Sequence, residues 1–253
     1  MKLYKYYSPI SLSIESILVK QEVYYSSPHK FNDPFEAQPV IKMPSKNYIV
    51  KELKELNVQK TSIPSKTRRL QKHLKKELPN YENKMKEFLG KFGVFCLTES
   101  NSNLLMWAHY GQDHKGLCFE FDINIDHVTD FGLVNEVTYN EKYPYINMLD
   151  LHMVFNGRES DSNLLSKVFN NLLLTKSIDW SYEKEYRALL TPFTYGGFGL
   201  KTFDPKSLKG VIIGARANKD FINKIEILVE NYPEELYIKH AKISNKKFEV
   251  IVN

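Results

Sequence analysis

At 253 residues and 29.6 kDa the chain has room for one large domain or two small ones. Its hydrophobic share of 42% and aromatic share of 13% belong to a folded protein and exclude a disordered one. The formal charge of +5 is concentrated: residues 42–91 hold 14 lysines and arginines against 5 glutamates, a local +9 that leaves −4 for the remainder. Such a segment attracts phosphate backbones or an acidic protein; the ordinary alternative is a solvated helix surface. No window reaches the roughly 18 apolar residues of a membrane span. The opening Met-Lys-Leu-Tyr-Lys-Tyr-Tyr has the charge of a signal peptide without its apolar centre. The two cysteines, Cys96 and Cys118, sit in apolar strand-like runs and read as buried thiols. A cytoplasmic protein is expected.

Along the chain, Leu3–Tyr7 reads as a first strand, and Ile14, Ile17 and Leu18 fall at helical spacing after a serine cap. Glu22–Tyr25 reads as a second strand. Asn32-Asp-Pro34 predicts a turn, because the proline disfavours helix at Asp33, and Phe31 and Phe35 would anchor it on the core. Residues 47–91 read as basic helix divided at Pro64 and Pro79, each suited to a first helical turn, with Leu70, Leu74, Leu78, Tyr81, Met85, Phe88 and Leu89 forming one apolar stripe. Short strands follow at 94–97, 116–121 and 133–139, then a helical stretch from 147 to 176 broken near Gly157. A strand at 185–190, another at 210–213, a helix over 218–230 and two terminal strands complete the pattern. Strands and helices do not alternate strictly, so the expected class is α+β: one domain over 1–253 with a mixed or antiparallel sheet core and a basic helical insertion at about 42–91.

Three stretches combine aromatic and polar residues densely enough to suggest a site: 31–36, 106–114 and 180–187. His109 is the natural acid or base, since imidazole titrates near neutrality, with Trp107 and Tyr110 placed to shield it or to stack on a planar ligand. The competing reading makes Trp107 a core anchor and His109 structural. Glu183, Glu185 and Arg187 share a face at strand spacing. A carboxylate at a strand start can steady an oxocarbenium-like centre, as glycosyl transfer requires, or can simply pair with its neighbours. Asn32 and Asp33 would make polar ligand contacts or satisfy their own turn. Cys96, His109, His114 and Cys118 lack the close spacing of a structural zinc site, so no metal is expected. No phosphate-cradling glycine loop or nucleophile elbow is present; 195–199 has the glycines of a flap.

Taken in order, Tyr4-Lys-Tyr6, Phe31-Asn-Asp-Pro-Phe-Glu36, Trp107-Ala-His-Tyr-Gly111, Phe119-Glu-Phe121, Trp180-Ser-Tyr-Glu-Lys-Glu-Tyr-Arg187 and Val211-Ile-Ile-Gly214 resemble the bacterial family named domain of unknown function 2971. That name implies no activity. The strand, short helix and second strand ending Val23-Tyr-Tyr-Ser-Ser-Pro28 are also similar to the opening of ADP-ribosyltransferase-like domains. This second resemblance implies NAD as substrate, Glu185 as the catalytic carboxylate supported by Glu183, and Tyr4 and Tyr25 near the cofactor. Tyr4-Lys-Tyr6 departs from that pattern, having neither the arginine nor the histidine expected on the first strand.

The leading expectation is therefore ADP-ribose transfer from NAD, with Glu185, Glu183 and His109 at the chemistry and Tyr4, Tyr25, Asn32, Asp33, Trp107, Tyr110 and Arg187 around the cofactor. The basic segment would recruit nucleic acid or an acidic protein. Two rivals stay open. One is a non-catalytic nucleic-acid-binding or defence-system module. The other is a metal-dependent nuclease or hydrolase using Asp33, Glu36, His109 and Glu185.

Overall fold

The structure, a computed structural model, describes residues 1–38, 40–156, 172–193 and 196–252. Two compact units emerge. The first gathers Met1–Ser27, Lys91–Tyr139 and Lys176–Asn253; the second gathers Pro28–Gly90 and Asn140–Thr175. In chain order the strands are β1 (Lys2–Tyr7), β2 (Glu22–Tyr25), β3 (Ile41–Lys42), β4 (Gly93–Thr98), β5 (Leu117–Asp122), β6 (Leu133–Glu136), β7 (Thr138–Asn140), β8 (Ile146–Asn147), β9 (Thr175–Ser177), β10 (Glu185–Leu190), β11 (Gly199–Thr202), β12 (Leu208–Ile213), β13 (Tyr237–Ile243) and β14 (Val250–Val252). The helices are α1 (Ser13–Lys20), α2 (Lys46–Glu55), α3 (Ile63–Leu89), α4 (Leu104–His109), α5 (Met148–Phe155) and α6 (Lys219–Glu230).

The first unit is built on an eight-stranded mixed sheet in the order β14-β13-β12-β5-β1-β4-β10-β6, an α+β arrangement as the sequence pattern indicates. Its one parallel pair, β12–β13, encloses α6, because parallel neighbours need a crossover rather than a hairpin. Period-two alternation separates two faces. On one face Leu3, Phe95, Phe119, Phe121, Val211 and Ile213 bury against Ile17 and Leu18 of α1 and Ile225 of α6. Phe131 and Phe203 join the phenylalanines there, with ring centroids 5.5–6.1 Å apart, and each such ring contributes roughly 1.5–3 kcal/mol on burial. The other face carries Tyr4, Tyr6, Cys118 and Ile212, covered by Met106 and Trp107 of α4. Strand register aligns one row across this second face: Tyr237, Gly210, Glu120, Tyr4, Thr98 and Glu185.

In the second unit, Ser45 caps α2 by accepting the Tyr48 N–H, and Pro64 sits in the first turn of α3 as its sequence position predicts. Pro79 does not divide the segment. The helix runs through it from Ile63 to Leu89, since Pro79 is exposed while Leu74, Tyr81, Met85 and Leu89 on either side remain buried on one stripe. Burial of that stripe outweighs the roughly 3 kcal/mol cost of an interior proline. Other boundaries also move. The run 133–139 is two strands interrupted at Val137, whose N–H bonds the Glu185 carbonyl. Of the stretch expected to be helical from 147 to 176, Met148–Phe155 and residues 172–173 are helical and only 175–177 is strand; the break at Gly157 lies outside the described residues, as does Tyr195 of the glycine-rich stretch. Phe35 is 68% exposed rather than anchored. Cys118 is buried but Cys96 only partly so, and both are free thiols.

Candidate functional site

The ionic centre of the first unit lies where residues 178–183 turn into β10. Ser177 starts this 3₁₀ turn by accepting the Asp179 N–H, and Lys184 ends it in the left-handed region with φ 45°. That reversal places Glu183 and Glu185 on either side of one residue with both carboxylates facing Lys176. Lys176 Nζ donates to Glu183 Oε2 at 2.6 Å and to Glu185 Oε2 at 3.1 Å. Arg187, two residues on and on the same strand face, grips Glu185 through Nε at 2.7 Å and Nη2 at 3.0 Å. All four side chains are buried, and Arg187 is only 1% exposed. Their formal charges cancel, which is what makes burial of four ions tolerable.

Neutral groups complete the frame. The Tyr110 hydroxyl donates to Glu183 Oε1 at 2.7 Å. Thr98 Oγ1 donates to the Glu183 carbonyl at 2.5 Å, and the Glu185 N–H donates to Tyr139 Oη at 2.8 Å. Asn103 has two duties: its Oδ1 caps α4, while its Nδ2 holds the Tyr182 carbonyl at 3.0 Å, fixing the start of α4 to the 3₁₀ turn. The Lys176 ammonium lies 5.0 Å from the Trp180 ring centroid, a cation–π contact. Burial alone would raise the Glu185 pKa, but the Arg187 guanidinium and Lys176 ammonium outweigh it and lower it to about 2. Glu185 is thus held ionised at neutral pH, with both of its oxygens engaged.

A second carboxylate stands in the same cross-sheet row. Glu120 accepts from Tyr4 Oη at 3.0 Å and from the Tyr237 hydroxyl, and pairs with Lys2 at 2.7 Å. Burial opposes its ionisation, yet these donors lower its pKa overall. Gly210 is what admits Tyr237: a Cβ at this position would lie 2.5 Å from the tyrosine ring.

The residues anticipated from sequence are therefore distributed unevenly. Glu183, Glu185, Arg187 and Tyr110 come together in one network. Tyr4 joins the neighbouring Glu120 cluster. His109 does not join: it is exposed at the last residue of α4, with no bond to either glutamate. Tyr25 and Trp107 are core residues with no accessible surface to offer a cofactor. The Tyr25 hydroxyl is taken by the Phe131 carbonyl, and Trp107 donates to Asn101 O at 2.9 Å while packing edge-on against Tyr6. Arg187 is held by Glu185 rather than offered to a phosphate. Asn32 and Asp33 belong to the second unit, where the Asp33 carboxylate accepts the Phe35 N–H at 2.9 Å and makes the turn itself. Lys176, Tyr139, Thr98, Asn103 and Glu120 were not anticipated. Lys176 carried one legible signal, a lone cation ending the apolar run Leu172–Leu174. Among the described residues no three His, Cys, Asp or Glu side chains gather as a metal site.

Comparison with protein families gives one result. Residues 106–188 match the family model described as Protein of unknown function (DUF2971). The family resemblance read from the sequence is supported over this span. The matched segment contains Tyr110, Tyr139, Lys176, Glu183, Glu185 and Arg187, every ion of the buried network included. No curated protein and no solved structure matches the chain. No helix among the described residues is long and apolar enough to cross a membrane.

Proposed function

We propose that the first unit is a glycosyl-transfer centre acting on the nicotinamide–ribose bond of NAD, with Glu183 as the carboxylate that meets the substrate and Glu185 as its positioning residue. The observation that carries this reading is the unequal matching of the two glutamates. Glu185 is bound by two cations, whereas Glu183 has one cation and the neutral, partly exposed Tyr110 hydroxyl. The less neutralised carboxylate, itself buried but flanked by the partly exposed Tyr110 and Tyr182, is the better partner for positive charge developing at the ribose C1′. In the reaction the C1′–nitrogen bond breaks, nicotinamide leaves with the electron pair, and an acceptor nucleophile bonds C1′ as it gives up a proton. NAD labelled in the nicotinamide ring tests this directly. Release by the native protein and a loss of about 100-fold or more in Glu183→Gln are expected; no release by native protein, with acceptors supplied, sinks the reading.

The second unit favours a further role. Arg68, Arg69, Lys72, Lys75 and Lys76 are exposed on the side of α3 opposite its buried Ile63, Thr67 and Leu74. This basic ridge suits a nucleic-acid backbone. Affinity for duplex DNA or RNA is expected to fall with salt, and neutralising Lys72, Lys75 and Lys76 is expected to flatten that dependence by about 0.9 in slope for each lost contact.

A further inference from the structure

Within the second unit, β3 and β8 pair in parallel, setting Ile41 beside Ile146 and Lys42 beside Asn147. Each strand runs almost at once into a helix. Asn147 caps α5, and Ser45, three residues beyond Lys42, caps α2. Two parallel strands that feed two helices bring both helix N-termini to the same end of the pair, the place where parallel sheets hold ligands. A cavity of about 730 Å³ opens there, within the range of small-molecule sites.

Its lining is chemically divided. Lys42 and Lys142 supply two cations, and each helix start keeps backbone N–H groups beyond the one its cap satisfies. Asp150 lies on the opposite account: it is 8% exposed, yet among the described residues only one of its oxygens is bound, by the Tyr48 hydroxyl at 2.6 Å. The other oxygen, on a residue that lines the cavity, makes no hydrogen bond or ion pair. This oxygen is not sealed from solvent, so it is open to accept from a ligand hydroxyl at the cavity. Tyr145 is more than half exposed at the wall, with Lys42 Nζ 4.2 Å from its ring centroid. Two cations alone would suit any anion, and Asp150 would repel a bare one. Both are satisfied by a molecule that carries a phosphate at one end and hydroxyl donors at the other, and Tyr145 offers a ring for a planar group.

We infer that this cavity binds a phosphorylated ribose, with Lys42, Lys142 and the α2 N-terminus on the phosphate and Asp150 on the sugar hydroxyls. The inference rests on the second unit alone and stands apart from the glycosyl-transfer reading. Calorimetric titration of the whole protein with ADP, ribose 5-phosphate and inorganic phosphate tests it. ADP or ribose 5-phosphate is expected to bind, and the Lys42→Gln/Lys142→Gln double variant to weaken that binding about tenfold or more. Asp150→Asn is expected to weaken ADP and ribose 5-phosphate while leaving inorganic phosphate as tightly bound or tighter. Equal binding of the two organic ligands supports a sugar phosphate as occupant, and a tenfold preference for ADP supports a nucleotide. Glu183→Gln, which removes the proposed reaction, is expected to leave all these affinities unchanged. Binding of inorganic phosphate only, or binding indifferent to the double lysine change, would overturn the inference.

Discussion

The two units treat buried charge in opposite ways. In the first, Lys176, Glu183, Glu185 and Arg187 answer one another, and Tyr110 and Tyr139 take up neighbouring groups. In the second, Lys42, Lys142 and one oxygen of Asp150 border an open cavity. A closed network specifies geometry, because each ion is costly without its partners. Charges that face a cavity are left available to a ligand. The difference explains why glutamates so prominent in the sequence are well suited to holding a site in shape.

Removing the shared cation tests the closed network most severely. Lys176→Met leaves two carboxylates buried beside one guanidinium and is expected to cost about 3–5 kcal/mol, read from denaturant unfolding. A loss under 1 kcal/mol would mean that water reaches these groups. Next in size is acid sensitivity. Glu185 ionises at about 2 in the fold against 4.5 when unperturbed, so between those values the unfolded chain binds more protons. Its stabilisation is complete above about pH 4.5 and disappears as the pH falls toward 2, roughly 3 kcal/mol by linkage. Glu185→Gln is expected to lower stability at neutral pH and to remove this part of the acid dependence; an unchanged acid profile would show that Glu185 is not held ionised.

Smaller effects separate the regions further. Gly210→Ala forces the Tyr237 ring off its position and away from Glu120. The expected cost is about 1–3 kcal/mol, the range for a hydrogen bond to a charged group, with a matching loss in Tyr237→Phe. In the second unit Lys42→Met is expected to change stability by less than about 0.5 kcal/mol, since an exposed lysine facing a cavity has no buried partner to abandon. A cost near that of Lys176→Met would erase the contrast between the units.

Legibility followed the range of the interaction. Glu185 and Arg187 were visible because strand spacing puts alternate residues on one face, whereas Glu183 precedes β10 and is brought beside them by the left-handed Lys184. Lys176 was not, because it meets them from another segment read as a helix end. The Trp107 stretch misled for a related reason. Its composition is that of a binding wall, but one neighbour, Tyr6 on β1, receives the indole edge-on and makes it core. Asn32-Asp-Pro34 was ambiguous as sequence, and the Asp33 bond to the Phe35 N–H decides for a turn.

Composition, period and caps by themselves determined the α+β class, most strand positions, the basic helical character of 42–91 and the first turn of α3 at Pro64. These depend on local backbone preference and on which face of one element is apolar. Tertiary structure alone decided that α3 continues through Pro79, that Glu120 and Glu185 share a cross-sheet row, that Glu185 is enclosed by two cations, and that Lys42 and Asp150 border one cavity. Each of these follows from register and packing between segments distant in the chain, where summed burial energies override local propensities of about one kcal/mol, and the roughly 3 kcal/mol of Pro79.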